Sequence, residues 1–315
     1  MRIGVTGGAG FIGSHIVDSY ISAGHEVLVL DDLSTGHKEN LNPKAEFVKL
    51  DIRDPKEIGK VFSDFRPEIV NHHAAQIDIR RSVTDPVFDA EVNILGSINL
   101  LQQAVRHEVQ GVIFASSGGA IYGETPRPAP ESAVKAPISP YGAAKAAVEN
   151  YLFTYKRTFG LETIALRYGN VYGPRQDPGG EAGVVSIFAG AILSGKTPTI
   201  FGSGDQVRDY VYVGDVASAN LLAIDYLLSS PSIPQTPDEL AFNIGSGVST
   251  SVNDLYMKLS EIIGFPEEAI HGDPRPGELM ESRLSIDRAQ EVLGFFPKVP
   301  FEEGLRKVVE WLKEG

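Results

Sequence analysis

The chain has 315 residues, enough for one large domain or two coupled ones, and 42% of them are hydrophobic. Its formal net charge of -13 argues against nonspecific binding to nucleic acid or to a membrane surface, because both require basic patches. The absence of cysteine excludes disulfides, thiolate catalysis and cysteine-ligated metals. No apolar run reaches the roughly 18 residues of a membrane helix, and the chain opens directly on a strand, without a signal peptide. We therefore expect a cytoplasmic globular protein.

A glycine-rich loop follows the first predicted strand. Residues 3–6 form a short buried strand, the loop contains Gly7, Gly10 and Gly13, and residues 14–23 have helical spacing. A strand, a glycine loop and a helix in this order are typical of a dinucleotide-binding site, in which the helix N-terminus faces a pyrophosphate.

An acidic pair ends the second predicted strand, at residues 26–30. Asp31 stands 18 residues beyond Gly13, with Asp32 next to it. A carboxylate at this place can accept both hydroxyls of the adenine ribose, and it repels the 2′-phosphate of NADP. Because no Arg lies between Asp31 and Gly36, the sequence favours NAD over NADP.

Strands and helices then alternate. Strands are predicted at 47–50, 68–71 and 112–115, with helices at about 55–65 and 86–106. The alternation predicts an α/β fold with a doubly wound parallel sheet of the Rossmann type. Ligands bind beyond the carboxyl ends of such strands. Three strand ends are therefore candidates for lining a cofactor: Asp51 and Ile52, then His73, Ala74 and Ala75, then Ser116 and Ser117.

The adjacent histidines 72 and 73 do not predict a metal site. Neighbouring residues of a strand point to opposite faces, and no third ligand is evident.

A tyrosine and a lysine stand one helical turn apart in a later predicted helix. Tyr141 and Lys145 project from the same face, with Ser139 as the expected N-cap and Pro140 in the first turn. An ammonium beside a phenol favours the phenolate, so Tyr141 is a candidate general base. Alone the pair is weak evidence, because a Tyr packed on a Lys stem has the same spacing.

These motifs occur in the order found in the extended short-chain dehydrogenase/reductase family. They are the glycine loop, the acids at 31–32, residues 51–53 and 73–75, the serines at 116–117 and Tyr141-x-x-x-Lys145. Within that family the chain resembles the nucleotide-sugar epimerases of the UDP-glucose (UDP-galactose) 4-epimerase type, from residue 1 to about 312. The resemblance implies an NAD-dependent isomerase that acts on a UDP-hexose through a 4-keto intermediate.

The resemblance also implies roles for individual residues. Ser117, Tyr141 and Lys145 are the implied catalytic group; aligning from Tyr122 instead places Gly118 in the serine role, and Ser116 stays an alternative. The implied cofactor-binding residues are Gly7, Gly10, Phe11, Ile12, Gly13, Asp31, Asp32, Asp51, Ile52, Ala74, Ala75, Asn93, Tyr141, Lys145 and Tyr168. The implied substrate-binding residues are Ser117, Tyr141, Asn170, Gly183, Val184, Thr199, Ile200, Phe201, Arg208, Arg275, Glu278 and Ser282.

The loop after the serine pair separates related activities. Related dehydratases carry an acidic pair there and related decarboxylases a Glu, whereas this chain has Gly118, Gly119 and Ala120. The loop therefore favours epimerisation. The alternatives are another nucleotide-sugar enzyme of this fold, such as a UDP-glucuronate 4-epimerase, a decarboxylase or a reductase, and a non-catalytic NAD-binding protein.

The second half of the chain leaves the sheet and returns to it. A predicted helix at 213–228 and a strand at 242–245 rejoin the first domain. We predict an NAD-binding Rossmann domain of residues 1–170 plus about 213–245, and a smaller C-terminal α/β nucleotide-sugar-binding domain of about 171–212 and 246–315. The resemblance places Ser282 where strict UDP-glucose/galactose epimerases can carry a bulky Tyr. It implies that the small Ser leaves room for a 2-N-acetyl group, so UDP-GlcNAc and UDP-GalNAc are further candidate substrates. The helix at 86–106 and the helix bearing Tyr141 resemble the family's dimerising pair, which predicts a homodimer.

Overall fold

The chain folds into alternating strands and helices. The computed structural model describes residues 1–179, 183–229, 233–275 and 278–314. The strands are β1 (Arg2–Thr6), β2 (Glu26–Asp31), β3 (Glu46–Lys49), β4 (Ile69–His72), β5 (Gly111–Ser117), β6 (Glu162–Tyr168), β7 (Asn170–Tyr172), β8 (Thr199–Phe201), β9 (Val207–Tyr212), β10 (Ala241–Ile244), β11 (Ser249–Ser251), β12 (Ile270–Gly272) and β13 (Glu281–Ser282). The helices are α1 (Phe11–Ser22), α2 (Pro55–Phe65), α3 (Ile79–Thr84), α4 (Pro86–Ala90), α5 (Gly96–Arg106), α6 (Gly118–Ile121), α7 (Pro140–Phe159), α8 (Val184–Leu193), α9 (Val213–Leu228), α10 (Val252–Ile263) and α11 (Phe301–Glu314).

A parallel sheet of seven described strands forms the centre, in the order β10-β6-β5-β4-β1-β2-β3. Its side chains alternate between two cores. In β2, Val27 and Val29 pack with α1 and α9, whereas Leu28 and Leu30 pack with α2, α5 and α7. Helices therefore cover both faces, as a parallel sheet requires. The predicted doubly wound α/β fold is confirmed. The order reverses between β1 and β4, and at such a point ligands bind beyond the strands' carboxyl ends.

Helix boundaries differ from the prediction in one segment. The single helix predicted at 86–106 is interrupted by a π-helical turn, Glu91–Leu95, between α4 and α5. Within this turn the amide of Asn93 accepts a hydrogen bond from the Gln76 backbone N–H and donates one to the Gln76 carbonyl, each of 2.9 Å. Such tertiary contacts cannot be predicted from the helical periodicity of the sequence. The short α3, with Asp78 as its N-cap, was not predicted.

A smaller group of elements has its own apolar core. Strands β7, β11 and β13 pair with β9, and β8 pairs with β12. Side chains of α8, α10 and α11 pack with Tyr172 and Tyr210 in this core. The intervening α9 packs with α1, and β10 pairs with β6 of the large sheet. The division into two domains stays a proposal. In the described ranges, no helix combines the length and apolar character that a membrane span requires.

Candidate active site

The start of α7 brings Tyr141 to the loop that follows β5. Ser139 caps the helix, since its hydroxyl accepts the backbone N–H of Gly142 at 3.2 Å, and Pro140 occupies the first turn. A side chain at position 142 would place its Cβ 2.4 Å from the carbonyl oxygen of Ala120. Glycine therefore permits the helix to approach the loop closely, next to Ser117.

The two serines that end β5 have different partners. The Ser116 hydroxyl is buried and donates a hydrogen bond of 2.7 Å to Oε1 of Glu149 on α7. Burial raises the pKa of Tyr141, and a hydrogen bond with Ser117 opposes that rise. Ser117 is thus the serine that lies beside Tyr141. Its catalytic role stays a prediction.

Burial dominates the electrostatics of Tyr141 and Lys145. The Lys145 ammonium donates to the carbonyl of Ala115 at 2.8 Å and lies 5.6 Å from the centre of the Tyr141 ring. Desolvation raises the pKa of Tyr141 to about 12 and lowers the pKa of Lys145 to about 8. For Tyr141 this direction is opposite to our expectation from the sequence, which considered only the neighbouring ammonium. The protein alone therefore keeps Tyr141 protonated near neutral pH.

The glycine loop leaves room only for backbone. A Cβ on Gly13 would lie 2.2 Å from the Gly7 carbonyl oxygen, and a Cβ on Gly7 would lie 2.6 Å from the backbone nitrogen of Ala74. No side chain caps the N-terminus of α1, whose N-cap is Gly10. The first N–H groups of a helix have no acceptor within the helix, and in α1, which follows the carboxyl end of β1, they include those of Phe11 and Ile12. This cradle fits a dinucleotide pyrophosphate.

The acids predicted to bind the adenosine lie at the ends of β2 and β3. Asp31 is buried, accepts the backbone N–H groups of Ala9 (3.0 Å) and Leu33 (2.8 Å), and has a pKa raised by desolvation. Asp32 accepts hydrogen bonds from Ser34. Asp51 pairs with Arg53 at 2.6 Å, which lowers the Asp51 pKa. Asp31 thus joins the glycine loop to the end of β2, and its role as a ribose ligand stays a prediction.

The other predicted cofactor residues either pack in the protein interior or lie near the carboxyl end of β4. Ile52 is buried in the core. The side-chain amide of Asn93 donates hydrogen bonds to the Gln76 carbonyl and to Asp89. The Tyr168 hydroxyl contacts Nε2 of His73 at 3.0 Å, and the two rings stack. Ala74 and Ala75 follow directly. Tyr168 therefore lies at the edge that holds the glycine loop.

The predicted substrate residues form two groups. Arg208 of β9 lies 3.8 Å from Glu278 and pairs in register with the buried Ser282 of β13. The Arg275 guanidinium lies 3.9 Å from the ring centre of Phe201 in β8, the strand that also contains Thr199 and Ile200. Pro276 and Gly277, within the predicted Arg-Pro-Gly-Glu segment, lie outside the described residues.

Leu284 connects the β13 group to the proposed catalytic group. A Cβ on Gly118 would lie 2.7 Å from Cδ1 of Leu284, two residues beyond Ser282. Asn170, at the start of β7, faces the same loop: its Oδ1 lies 3.4 Å from the position of a Cβ on Gly119. Gly183 is the N-cap of α8, and Val184 begins that helix.

Three buried charged residues near this site were not predicted. Arg167 of β6 is fully buried and makes a bidentate contact with Glu149, at 2.6 and 2.9 Å. Asp89 of α4 is buried and accepts hydrogen bonds from Gln76 and Asn93. The spacing of Lys145 and Glu149, one helical turn apart, was the available signal for Glu149. The described His, Asp and Glu side chains form no cluster of three or more that could hold a metal ion.

Known proteins match the chain over its whole length. The profile of the NAD dependent epimerase/dehydratase family matches residues 3–245. A UDP-glucose 4-epimerase of Mycolicibacterium smegmatis is 45% identical over 319 residues, with 99% of each chain covered. The crystal structure of a Thermotoga maritima UDP-glucose 4-epimerase with UDP-glucose has a TM-score of 0.94 and 48% identity, and the match covers 100% of this chain and 99% of that one. A Thermus thermophilus UDP-glucose 4-epimerase in complex with NAD has a TM-score of 0.90 and 44% identity, with 99% of each chain covered.

Proposed function

This chain belongs to the NAD-dependent epimerase/dehydratase family, and on that premise we propose that it catalyses the 4-epimerisation of a UDP-hexose. UDP-glucose and UDP-galactose are the proposed substrate pair, because the relatives described above are UDP-glucose 4-epimerases at up to 48% identity. NAD is the cofactor, and the backbone cradle at Gly7 and Gly13 together with Asp31 fits it.

In the proposed reaction Tyr141 is a phenolate once cofactor and substrate are bound. Its oxygen takes the proton of the sugar 4′-hydroxyl, while the Ser117 hydroxyl holds that group in line. When bound, NAD supplies the acceptor for the C4′ hydride, a positive charge near Tyr141, and the return of the hydride to the opposite face. The Lys145 ammonium opposes the negative charge that develops on the Tyr141 oxygen. The 4-keto sugar turns about its bonds to the diphosphate between the two transfers. Because the hydride returns to the sugar, the reaction consumes neither an oxidant nor a reductant.

The position of Ser117 beside Tyr141, next to residues 118–120 that contain no acid, carries this proposal. Removal of water or of carbon dioxide from the sugar needs a further acid or base. Residues 118–120 offer none, and the space at Gly118 is already filled by Leu284. Tyr141 is therefore left with reversible proton transfer, which is what an epimerase needs.

For the nucleotide, we assign the diphosphate to Arg208 and Arg275. A guanidinium makes charge-assisted, bidentate hydrogen bonds to phosphate, and these two act against an overall charge of -13. Glu278, 3.8 Å from Arg208, is assigned to the uridine ribose, and the residues of β8 border the base. The stacking of Arg275 on Phe201 supports a common binding surface for the base and the phosphates.

A Tyr141→Phe variant tests the proposal most directly. The variant should retain bound NAD and lose at least about 100-fold in kcat for UDP-glucose and UDP-galactose interconversion, because the proton acceptor is gone. Tyr151→Phe, an exposed tyrosine on the same helix, is the matched control. Assays without added NAD(H), across UDP- and dTDP-sugars, separate an epimerase from a reductase, which would consume reduced cofactor. Full activity of Tyr141→Phe would refute the assignment.

We also propose that the protein is a cytoplasmic homodimer. Four apolar side chains on α3, α4 and the π-helical turn are more than half exposed: Ile79, Val83, Val87 and Leu95. Exposed apolar side chains grouped in this way mark protein interfaces. Val87→Asp together with Leu95→Lys should yield a monomer by light scattering, whereas an unchanged mass would argue against this interface.

The small side chain at Ser282 extends the proposed substrate range to UDP-GlcNAc and UDP-GalNAc. Ser282 is buried opposite Arg208, the residue assigned to the diphosphate. A small residue near the sugar leaves room for a 2-N-acetyl group, which a bulky side chain would exclude.

A further inference from the structure

Asp89 is a buried carboxylate for which the proposed reaction has no use. It lies on α4 with 1% of its surface exposed. Its Oδ1 accepts hydrogen bonds from the side-chain amides of Gln76, at 2.9 Å, and Asn93, at 3.0 Å. Among the described residues no cation forms an ion pair with it. Burying an ionised carboxylate without a partner costs free energy, so we expect a positive charge close to Asp89 that offsets this cost.

The ammonium of Lys145 provides this positive charge. It is buried on α7, against which α4 packs, and among the described residues its charge acts on Asp89. Glu149 is the other carboxylate close to Lys145, but the bidentate contact with Arg167 largely neutralises it. Asp89 is therefore the carboxylate near Lys145 whose charge is not already compensated.

We propose that Asp89 is a positioning residue that acts through Lys145: its carboxylate is the countercharge of the buried ammonium beside Tyr141. This inference rests on the epimerase function proposed above. Two amide donors hold the carboxylate in place, so the countercharge is fixed on the scaffold before substrate arrives.

The charges around Lys145 support this role. Burial lowers the Lys145 pKa to about 8, and Asp89, followed by Glu149, opposes that effect. The same carboxylate raises the Tyr141 pKa. The Lys145 charge also acts on His72, the last residue of β4, and on His73, but burial lowers the pKa of each to about 3, so both are neutral at working pH. Asp89 therefore favours the charged form of Lys145, against the effect of burial.

An Asp89→Asn variant of the holoenzyme tests this. It keeps the shape and an oxygen acceptor for the two amides but removes the charge. Both Lys145 and Tyr141 should then lose their protons at lower pH, so both limbs of the kcat/KM profile should move to lower pH by roughly one pH unit. If the carboxylate only held the loop in place, its removal would lower activity or stability without shifting the pH dependence of kcat/KM.

A second readout does not depend on turnover. In protein with 13Cε-labelled lysine, the NMR signal of Lys145, assigned with Lys145→Arg, should titrate at lower pH in Asp89→Asn than in the wild type. Asp89→Glu should restore the wild-type titration, and Asp64→Asn, at an exposed acid on α2, should not change it. If Asp89→Asn does not fold, Asp89→Ser removes the same charge and carries the same expectation.

An unchanged Lys145 titration in the folded variant would overturn the proposal. Failure of the epimerase function would appear elsewhere, as activity retained by Tyr141→Phe. The two results are therefore distinguishable.

Discussion

The Ser116 hydroxyl donates a hydrogen bond of 2.7 Å to Oε1 of Glu149, and this contact separates the roles of the two serines that end β5. The same carboxylate is bound by the fully buried guanidinium of Arg167. Ser116 thus belongs to an ion-paired network that fastens α7 to the sheet. Successive residues of a strand point to opposite faces, so Ser117 faces the other way and meets Tyr141.

Alanine substitution at the two serines should therefore have opposite effects. We expect Ser117→Ala to lower kcat by at least about 100-fold with little change in stability, because it removes the group that orients the proton transfer. Ser116→Ala should cost roughly 1–3 kcal/mol of unfolding free energy, since a buried acceptor loses its donor, with kcat close to the wild-type value. Urea unfolding and steady-state kinetics on both variants measure the two effects. The reverse pattern would assign catalysis to Ser116.

How far the sequence predicts this site depends on how local each feature is. The shared face of Tyr141 and Lys145 follows from helical spacing, and the glycine loop follows from its strand and helix neighbours. The choice between Ser116 and Ser117 required the structure, because alternation separates the two residues without saying which of them lies beside Tyr141. Asp89 resembles an ordinary surface acid at the start of a helix, and its partner Gln76 lies in a distant loop. The direction of the Tyr141 pKa shift could not be predicted either, because desolvation depends on all the atoms packed around the ring.

The adjacent glycines 118 and 119 should tolerate a methyl group very differently. A Cβ on Gly118 would lie 2.7 Å from Cδ1 of Leu284 and 3.2 Å from the Arg167 carbonyl oxygen, whereas a Cβ on Gly119 meets only Asn170, at 3.4 Å. Overpacking of this kind costs roughly 1–3 kcal/mol, so Gly118→Ala should lower the urea midpoint and also disturb Ser117. Gly119→Ala is its matched control and should unfold like the wild type. Equal stability of the two variants would contradict the tight contact with Leu284.

Stability should decrease as the pH falls, in part because of His72. Its Nε2 contacts the Ser97 hydroxyl at 2.9 Å and its Nδ1 contacts the Thr6 hydroxyl at 2.7 Å. The Ser97 hydroxyl donates to the Asn93 carbonyl, so it accepts from Nε2, and Nδ1 is left as an acceptor. Burial lowers the folded-state pKa of His72 to about 3, from an ordinary value of 6.5. The contribution of neutral His72 is thus complete above pH 6.5 and is lost as the pH falls from there towards 3, by at most about 1.4 kcal/mol per pH unit.

The His72 effect can be isolated by comparing slopes. His72→Asn removes the titrating group, so its stability, relative to its own value at pH 7, should decrease less between pH 6.5 and pH 4 than that of the wild type. His271→Asn, at an exposed histidine, should keep the wild-type slope. Urea unfolding at several pH values gives each slope, and identical slopes for His72→Asn and the wild type would refute a buried neutral His72.

Ser282→Tyr should narrow the substrate range without abolishing catalysis. Ser282 is buried on β13, in register with Arg208, and Leu284, two residues further on, packs against Gly118 next to Ser117. A tyrosine there would occupy space that a 2-N-acetyl group needs and a 2-hydroxyl does not. We expect kcat/KM for UDP-GlcNAc to fall at least about tenfold relative to that for UDP-glucose, because a steric clash acts on one substrate only. Ser63→Tyr, at an exposed position of α2, is the control for the added aromatic side chain. Equal losses for both sugars would mean that Ser282 supports the fold of β13, and the assignment of this residue to sugar choice would be wrong.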